Sequence, residues 1–98
     1  MERDTVLACL QSNIHRIKTF PVKSLAVFGS VARNEARIGS DVDILVEFDT
    51  QARVGLFEFV RLQQLLSEIL GAPVDLATPA ALRKELREQI LAEAIRAA

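Results

Sequence analysis

Leu56 to Leu70 most constrains what this chain can fold into. Leu56, Phe59, Leu62, Leu66 and Ile69 recur at three- and four-residue spacing, and Gly71 and Pro73 close the run. Short apolar runs flank it, one ending at Phe48 and one covering Val74 to Ala77. A strand, a full helix and a second strand in that order suit a right-handed crossover between parallel strands. The first of these strands is the clearest in the chain. Over residues 41–48, Val42, Ile44, Val46 and Phe48 share one face, and Asp41, Asp43, Leu45 and Glu47 share the other.

The remaining elements fall around that unit. Residues 4–18 carry Leu7, Leu10, Ile14 and Ile17 at helical spacing, and Pro21 ends that region. Leu25 to Phe28 reads as a short buried strand. Ser30 is expected to cap a short helix through about Arg37, with Gly39 as its stop. Thr78-Pro79 is a helix start, and Leu82, Leu86, Ile90 and Ala94 form a stripe on a last helix. The order is α-β-α-β-α-β-α, an α/β (α+β) fold with a small three-stranded mixed sheet and helices packed on it. The connection from Phe28 to Asp41 is short, so the first strand is expected to run antiparallel to the second. No repeat, linker or low-complexity tract divides the chain, and residues 1–98 are expected to form one domain.

Half of the residues are apolar and 26% are charged, which is globular composition. Lys and Arg number 12 against 13 Asp and Glu, so no basic excess points to direct nucleic-acid binding. The one cysteine, Cys9, cannot form an internal disulfide. MERDTVLACL is charged where a signal peptide needs an apolar core, and no apolar run approaches a membrane span; a cytoplasmic protein is expected.

Chemistry enters at Asp41 and Asp43. Two aspartates at i and i+2 on a strand share a face, with α-carbons roughly 6.5–7 Å apart. Aspartate is a poor strand former, and like charges on one face repel. A bound cation offsets both costs, and hard carboxylate oxygens suit Mg2+. With the first strand antiparallel, Gly29-Ser30, Asp41/Asp43 and Asp75 meet at one end of the sheet. Three carboxylates suit a two-metal site with ions about 3.5–4 Å apart, which orients a hydroxyl and stabilises a displaced pyrophosphate. Gly29 lets backbone approach a ligand closely, a helix start there presents N–H groups to an anion, and Ser30 adds a hydroxyl. The parts together describe a nucleoside triphosphate attacked at its α-phosphate.

Gly29-Ser30, ten residues, then Asp41-Val42-Asp43 resembles the signature of the DNA polymerase beta-like nucleotidyltransferase superfamily. The fuller string GSVARNEARIGSDVDILVEF, followed by LLSEILGAPVDLATPAALRKELREQILAEAI, resembles the minimal nucleotidyltransferase (MNT) family over nearly the whole chain from about residue 24. That resemblance implies that Asp41 and Asp43 are shared Mg2+ ligands, that Asp75 is a third ligand or activates the attacking hydroxyl, and that Gly29 and Ser30 hold triphosphate. Asn34 departs from the pattern, standing where relatives carry glycine; asparagine tolerates left-handed backbone better than most residues. The resemblance further implies an antitoxin that transfers AMP from ATP to a tyrosine of a HEPN-domain toxin, in a hetero-oligomer with it. The chain contains no tyrosine, so it is not its own tyrosine acceptor. The alternative is an antitoxin that occludes its toxin, with the nucleotide site vestigial or regulatory.

Arg33 and Arg37 lie beside the expected phosphate seat. Arg33 either steadies triphosphate and pyrophosphate or pairs with Glu35 at the surface. Glu47, His15 and Cys9 are expected outside the chemistry, as a solvated residue, a surface residue and a packing residue. Arg83, Lys84 and Arg87 are read as a solvated helix face, with a partner-docking face as the sharper alternative.

Overall fold

A computed structural model describes residues 2–37 and 39–98. Met1 and Ile38, which belong to the N-terminal and motif strings above, lie outside the described residues. The elements are α1 (Arg3–Ser12), α2 (Ile14–Ile17), β1 (Val22–Phe28), α3 (Gly29–Ala32), β2 (Val42–Phe48), α4 (Leu56–Leu70), β3 (Val74–Ala77), a 3-10 turn (Pro79–Ala81), α5 (Lys84–Glu93) and β4 (Ile95–Arg96).

The strands lie in the order β3-β2-β1-β4. β1 runs antiparallel to β2, and β2 parallel to β3, as the connection lengths predict. Alternation then sorts the side chains. Leu25 opposite Val46, Val27 opposite Ile44, and Ile44 beside Leu76 form the core face. Leu62, Leu66 and Leu70 of α4 and Val6 and Leu10 of α1 cover that face, all buried. Phe59 meets Phe48 edge-on at 6.5 Å between ring centroids, joining α4 to the end of β2. α4 ends where Gly71 takes φ +64°, a left-handed turn whose N–H donates to Ser67 O at 2.8 Å.

Four expectations are corrected. The first helix is broken at Asn13, whose side chain donates to Cys9 O at 2.8 Å and competes with helix continuation. Ser30 does not cap a helix reaching Arg37: α3 begins at Gly29, shows no side-chain cap bond and ends at Ala32. Asn34 then takes φ +59°, the left-handed conformation that asparagine tolerates. The Thr78-Pro79 start supports only a 3-10 turn, because Leu82 and Arg83 are extended (ψ 143° and 135°) before α5 begins. The stripe of Leu82, Leu86 and Ile90 therefore reaches no core, and no residue of α5 is buried.

The sheet has four strands, not three, because the chain returns as β4 after α5. Ile95 pairs with Val27 and Arg96 with Ala26. Ala97 N–H donates to Leu25 O at 2.8 Å, and Leu25 N–H to Ala98 O at 3.2 Å. Without these bonds β1 would present an open edge of unpaired backbone groups.

Candidate functional site

Strand pairing brings the predicted residues together. Antiparallel pairing places Phe28, the last residue of β1, opposite Asp43, and parallel pairing places Asp43 beside Asp75. Adjacent strands lie about 4.8 Å apart, so the two aspartates stand side by side on the face away from the core. Asp41 is one residue before β2 and exposed, as is Asp75, while Asp43 is half-buried. Gly29 follows Phe28 directly, so the turn after β1 abuts the start of β2.

That approach requires glycine. Gly29 has φ +72°, and a Cβ there would collide with the Asp43 carboxylate, lying 3.0 Å from Cγ and 3.2 Å from Cβ. Both the backbone conformation and the space exclude a side chain. Burial pushes the Asp43 carboxyl above its ordinary range, and the charges of Asp75, Asp41 and Glu93 push it further, against Arg33.

Arg33 leaves the end of α3 and is gripped by two glutamates. Its Nε donates to Glu35 Oε2 at 3.1 Å, and its Nη1 donates to both Glu93 oxygens at 3.1 Å. The surface pairing with Glu35 weighed from sequence is therefore present, together with a second partner that sequence reasoning missed. Glu93, on α5, also accepts from the Gly29 N–H at 3.2 Å. Nothing local signals that role: Glu93 is 64 residues from Gly29 in sequence and reaches it only because β4 returns to β1.

Among the described residues, no three His, Cys, Asp or Glu side chains are gathered as a ready-made ligand set. Asp41, Asp43 and Asp75 share one end of the sheet without converged carboxylates. The donor set nonetheless fits a hard divalent cation, being carboxylate oxygen from a strand start and its parallel neighbour. Asp43, with its raised pKa, is the group that a nearby positive charge would relieve.

Glu47, His15 and Cys9 fall away from this site. Exposed Glu47 pairs with Lys23 at 3.7 Å, His15 is exposed, and Cys9 packs partly buried against the core. The Arg37 N–H donates to Ser40 Oγ at 3.1 Å. A cavity of about 530 Å3 lies at the opposite end of β2 and β3, between Phe48, Leu56, Phe59 and Ala77, remote from Asp43. Among the described residues, no helix is long and apolar enough to cross a membrane.

Comparison with known proteins agrees with this fold. Residues 12–97 match the family model described as Nucleotidyltransferase domain. A Methanocaldococcus jannaschii protein named "putative protein adenylyltransferase" is 45% identical over 74 residues, 76% of this chain and 77% of that one. The protein adenylyltransferase MntA of Thermococcus cleftensis is 38% identical over 76 residues, covering 78% and 75% of the two chains. A solved structure named "putative minimal nucleotidyltransferase" superimposes with a TM-score of 0.80 at 38% identity, over 97% of this chain and 95% of that one. The fold also recurs at 19% identity and a TM-score of 0.65, over 94% of this chain and 71% of the other, in a chain of the complex described as "tri-AMPylated Shewanella oneidensis HEPN toxin in complex with MNT antitoxin".

Proposed function

The chain belongs to the nucleotidyltransferase domain family, and from that premise we propose that it is a Mg2+-dependent protein adenylyltransferase. It moves AMP from ATP to a hydroxyl, a tyrosine, on a HEPN-type toxin, and so serves as that toxin's antitoxin. The observation that carries this reading is the in-register pair of Asp43 and Asp75 against the Gly29 turn. The names of the curated adenylyltransferase relatives support it, as does the MNT–HEPN complex among the fold neighbours.

Each residue has a part. Asp41, Asp43 and Asp75 hold Mg2+, which when bound neutralises phosphate charge and lowers the barrier to displacement at the α-phosphate. Gly29 serves by its missing Cβ, since its N–H is taken by Glu93. Ser30 and Arg33 supply donors to the triphosphate, Arg33 as a fixed positive fork. Asp75 is exposed, where an incoming side chain can reach it, and takes the proton of the acceptor hydroxyl on a carboxylate oxygen. The acceptor oxygen bonds the α-phosphorus, the bond to the β-phosphate oxygen breaks, and pyrophosphate leaves.

The acting unit is one domain over residues 1–98, in a cytoplasmic hetero-oligomer with its target and without direct nucleic-acid contact. The test mixes the chain with its toxin, ATP and Mg2+ and reads the toxin by intact-mass spectrometry. One or more added AMP units are expected, absent with Asp41→Asn/Asp43→Asn. A toxin that is bound and silenced yet unmodified would overturn transfer in favour of occlusion.

A further inference from the structure

Glu93 is the last residue of α5, two positions before β4. Pairing of β4 with β1 leads the chain back to the end of β1, and Glu93 reaches the turn that follows it. Its side chain is only 19% exposed, on a helix that buries none of its residues fully. One carboxylate serves two donors: Oε1 accepts from the Gly29 N–H at 3.2 Å, and both oxygens accept from Arg33 Nη1 at 3.1 Å. Glu35 takes the Arg33 Nε at 3.1 Å. A guanidinium is planar and rigid, so gripping Nε and Nη1 fixes the direction of the third nitrogen, Nη2.

We propose that Glu93 is a positioning residue of the nucleotide site. It fastens the left-handed Gly29 turn against Asp43 and, with Glu35, holds Arg33 so that Nη2 is presented to the triphosphate. The inference rests on the nucleotide reading of the site above. α5 thereby acquires a purpose that its packing does not supply, since it delivers one carboxylate to a turn 64 residues earlier in the chain.

Charge and positioning predict opposite effects, which makes the idea testable. Glu93→Gln removes an anion beside the phosphate seat, so by charge alone ATP would bind more tightly. If the carboxylate orients Arg33, the same substitution weakens binding. The isosteric amide oxygen still accepts from the Gly29 N–H, so the variant keeps that contact.

Calorimetric titration of Mg2+-ATP into the full chain would compare the natural protein with Glu93→Gln, Arg33→Ala and the double variant, with a thermal melt of each. Glu93→Gln is expected to raise Kd about tenfold, and Arg33→Ala by a similar factor. The double variant should bind no more weakly than Arg33→Ala alone, because Glu93 acts through Arg33. A merely structural role would shift the melt without this non-additivity. Should Glu93→Gln fail to fold, Glu93→Ala, which frees the Gly29 N–H as well as Arg33, gives a second reading on its own: it too should raise Kd, and ATP binding as tight as in the natural chain would overturn the inference. The inference is overturned if Glu93→Gln binds ATP as well as or better than the natural chain, or if the single effects multiply in the double variant. If the natural chain binds ATP but leaves the toxin unmodified, the transfer reading falls and the same cycle still decides Glu93. If it binds no ATP, both fall.

Discussion

Replacing Gly29 by alanine separates two costs that usually come together. At φ +72° an L-residue pays about 1–2 kcal/mol for left-handed backbone. The new Cβ also drives into the Asp43 carboxylate, and relieving such an overlap costs typically about 1–3 kcal/mol. The sum is about 2–4 kcal/mol after allowance for the alanine's lower entropy in the unfolded chain. Gly71 is the control: its φ is +64°, but a Cβ there meets nothing within 4 Å, so Gly71→Ala carries the backbone cost alone. Urea denaturation at neutral pH, with thermal melts in parallel, measures both. A domain this size loses about 4–8 °C per kcal/mol, so Gly29→Ala should melt at least about 8 °C below the natural chain and several degrees below Gly71→Ala. Asp43→Ala removes Cγ and Oδ2 and leaves only Cβ, at 3.2 Å from the new methyl. In that background the Gly29→Ala penalty should fall toward that of Gly71→Ala, a coupling of about 1–3 kcal/mol. Equal penalties at the two glycines, or no coupling to Asp43, would refute the claim that this turn is shaped by contact with the carboxylate.

Asp43→Asn tests the electrostatics of the same pair. The folded carboxyl titrates above its unfolded value of about 3.9, so its contribution favours the fold below that value and is lost as pH rises through the folded pKa. The asparagine variant, without metal, should therefore melt above the natural chain at pH 7, the gap narrowing as pH falls through the raised folded pKa and closing below about 3.9; a gap that widens on acidification would sink the assignment. Deleting residues 95–98 removes the Ala97-to-Leu25 and Leu25-to-Ala98 bonds and opens the β1 edge. At about 0.5–1.5 kcal/mol per bond the loss of these two should reach about 1–3 kcal/mol, with concentration-dependent association visible by light scattering. A monomeric truncation as stable as the full chain would show that β4 is dispensable.

What could be read from sequence follows from how local each signal is. α4 and β3 occupy the predicted spans because helical repeat, Gly71 and Pro73 all act within a few residues of the boundary. The meeting of Gly29, Asp43 and Asp75 was also legible, since connection lengths alone choose antiparallel for one strand pair and parallel for the other. β4 was not. AIRAA has no alternation, and its extended form is decided by the open edge of β1, which no nearby residue announces. Glu93 was hidden for the same reason, its partners being set by that return. The apolar stripe on the last helix misled because periodicity reports a face and not a neighbour: Leu86 is 45% exposed, and a nearby off-stripe leucine, Leu91, is 49% exposed.

The pairing of β2 with β3 also bears on which genetic changes the chain survives. Val42 N–H donates to Pro73 O at 2.9 Å, pinning the register at the strand mouths. A one-residue insertion or deletion between them that the loops absorb would leave Asp75 beside Asp43. One that slips the ladder would turn Asp75 into the core and carry Val74 and Leu76 out to solvent. No intermediate register exists, so length variation among relatives should gather in the segment after Phe48 and spare the Ala72-Pro73 approach to β3.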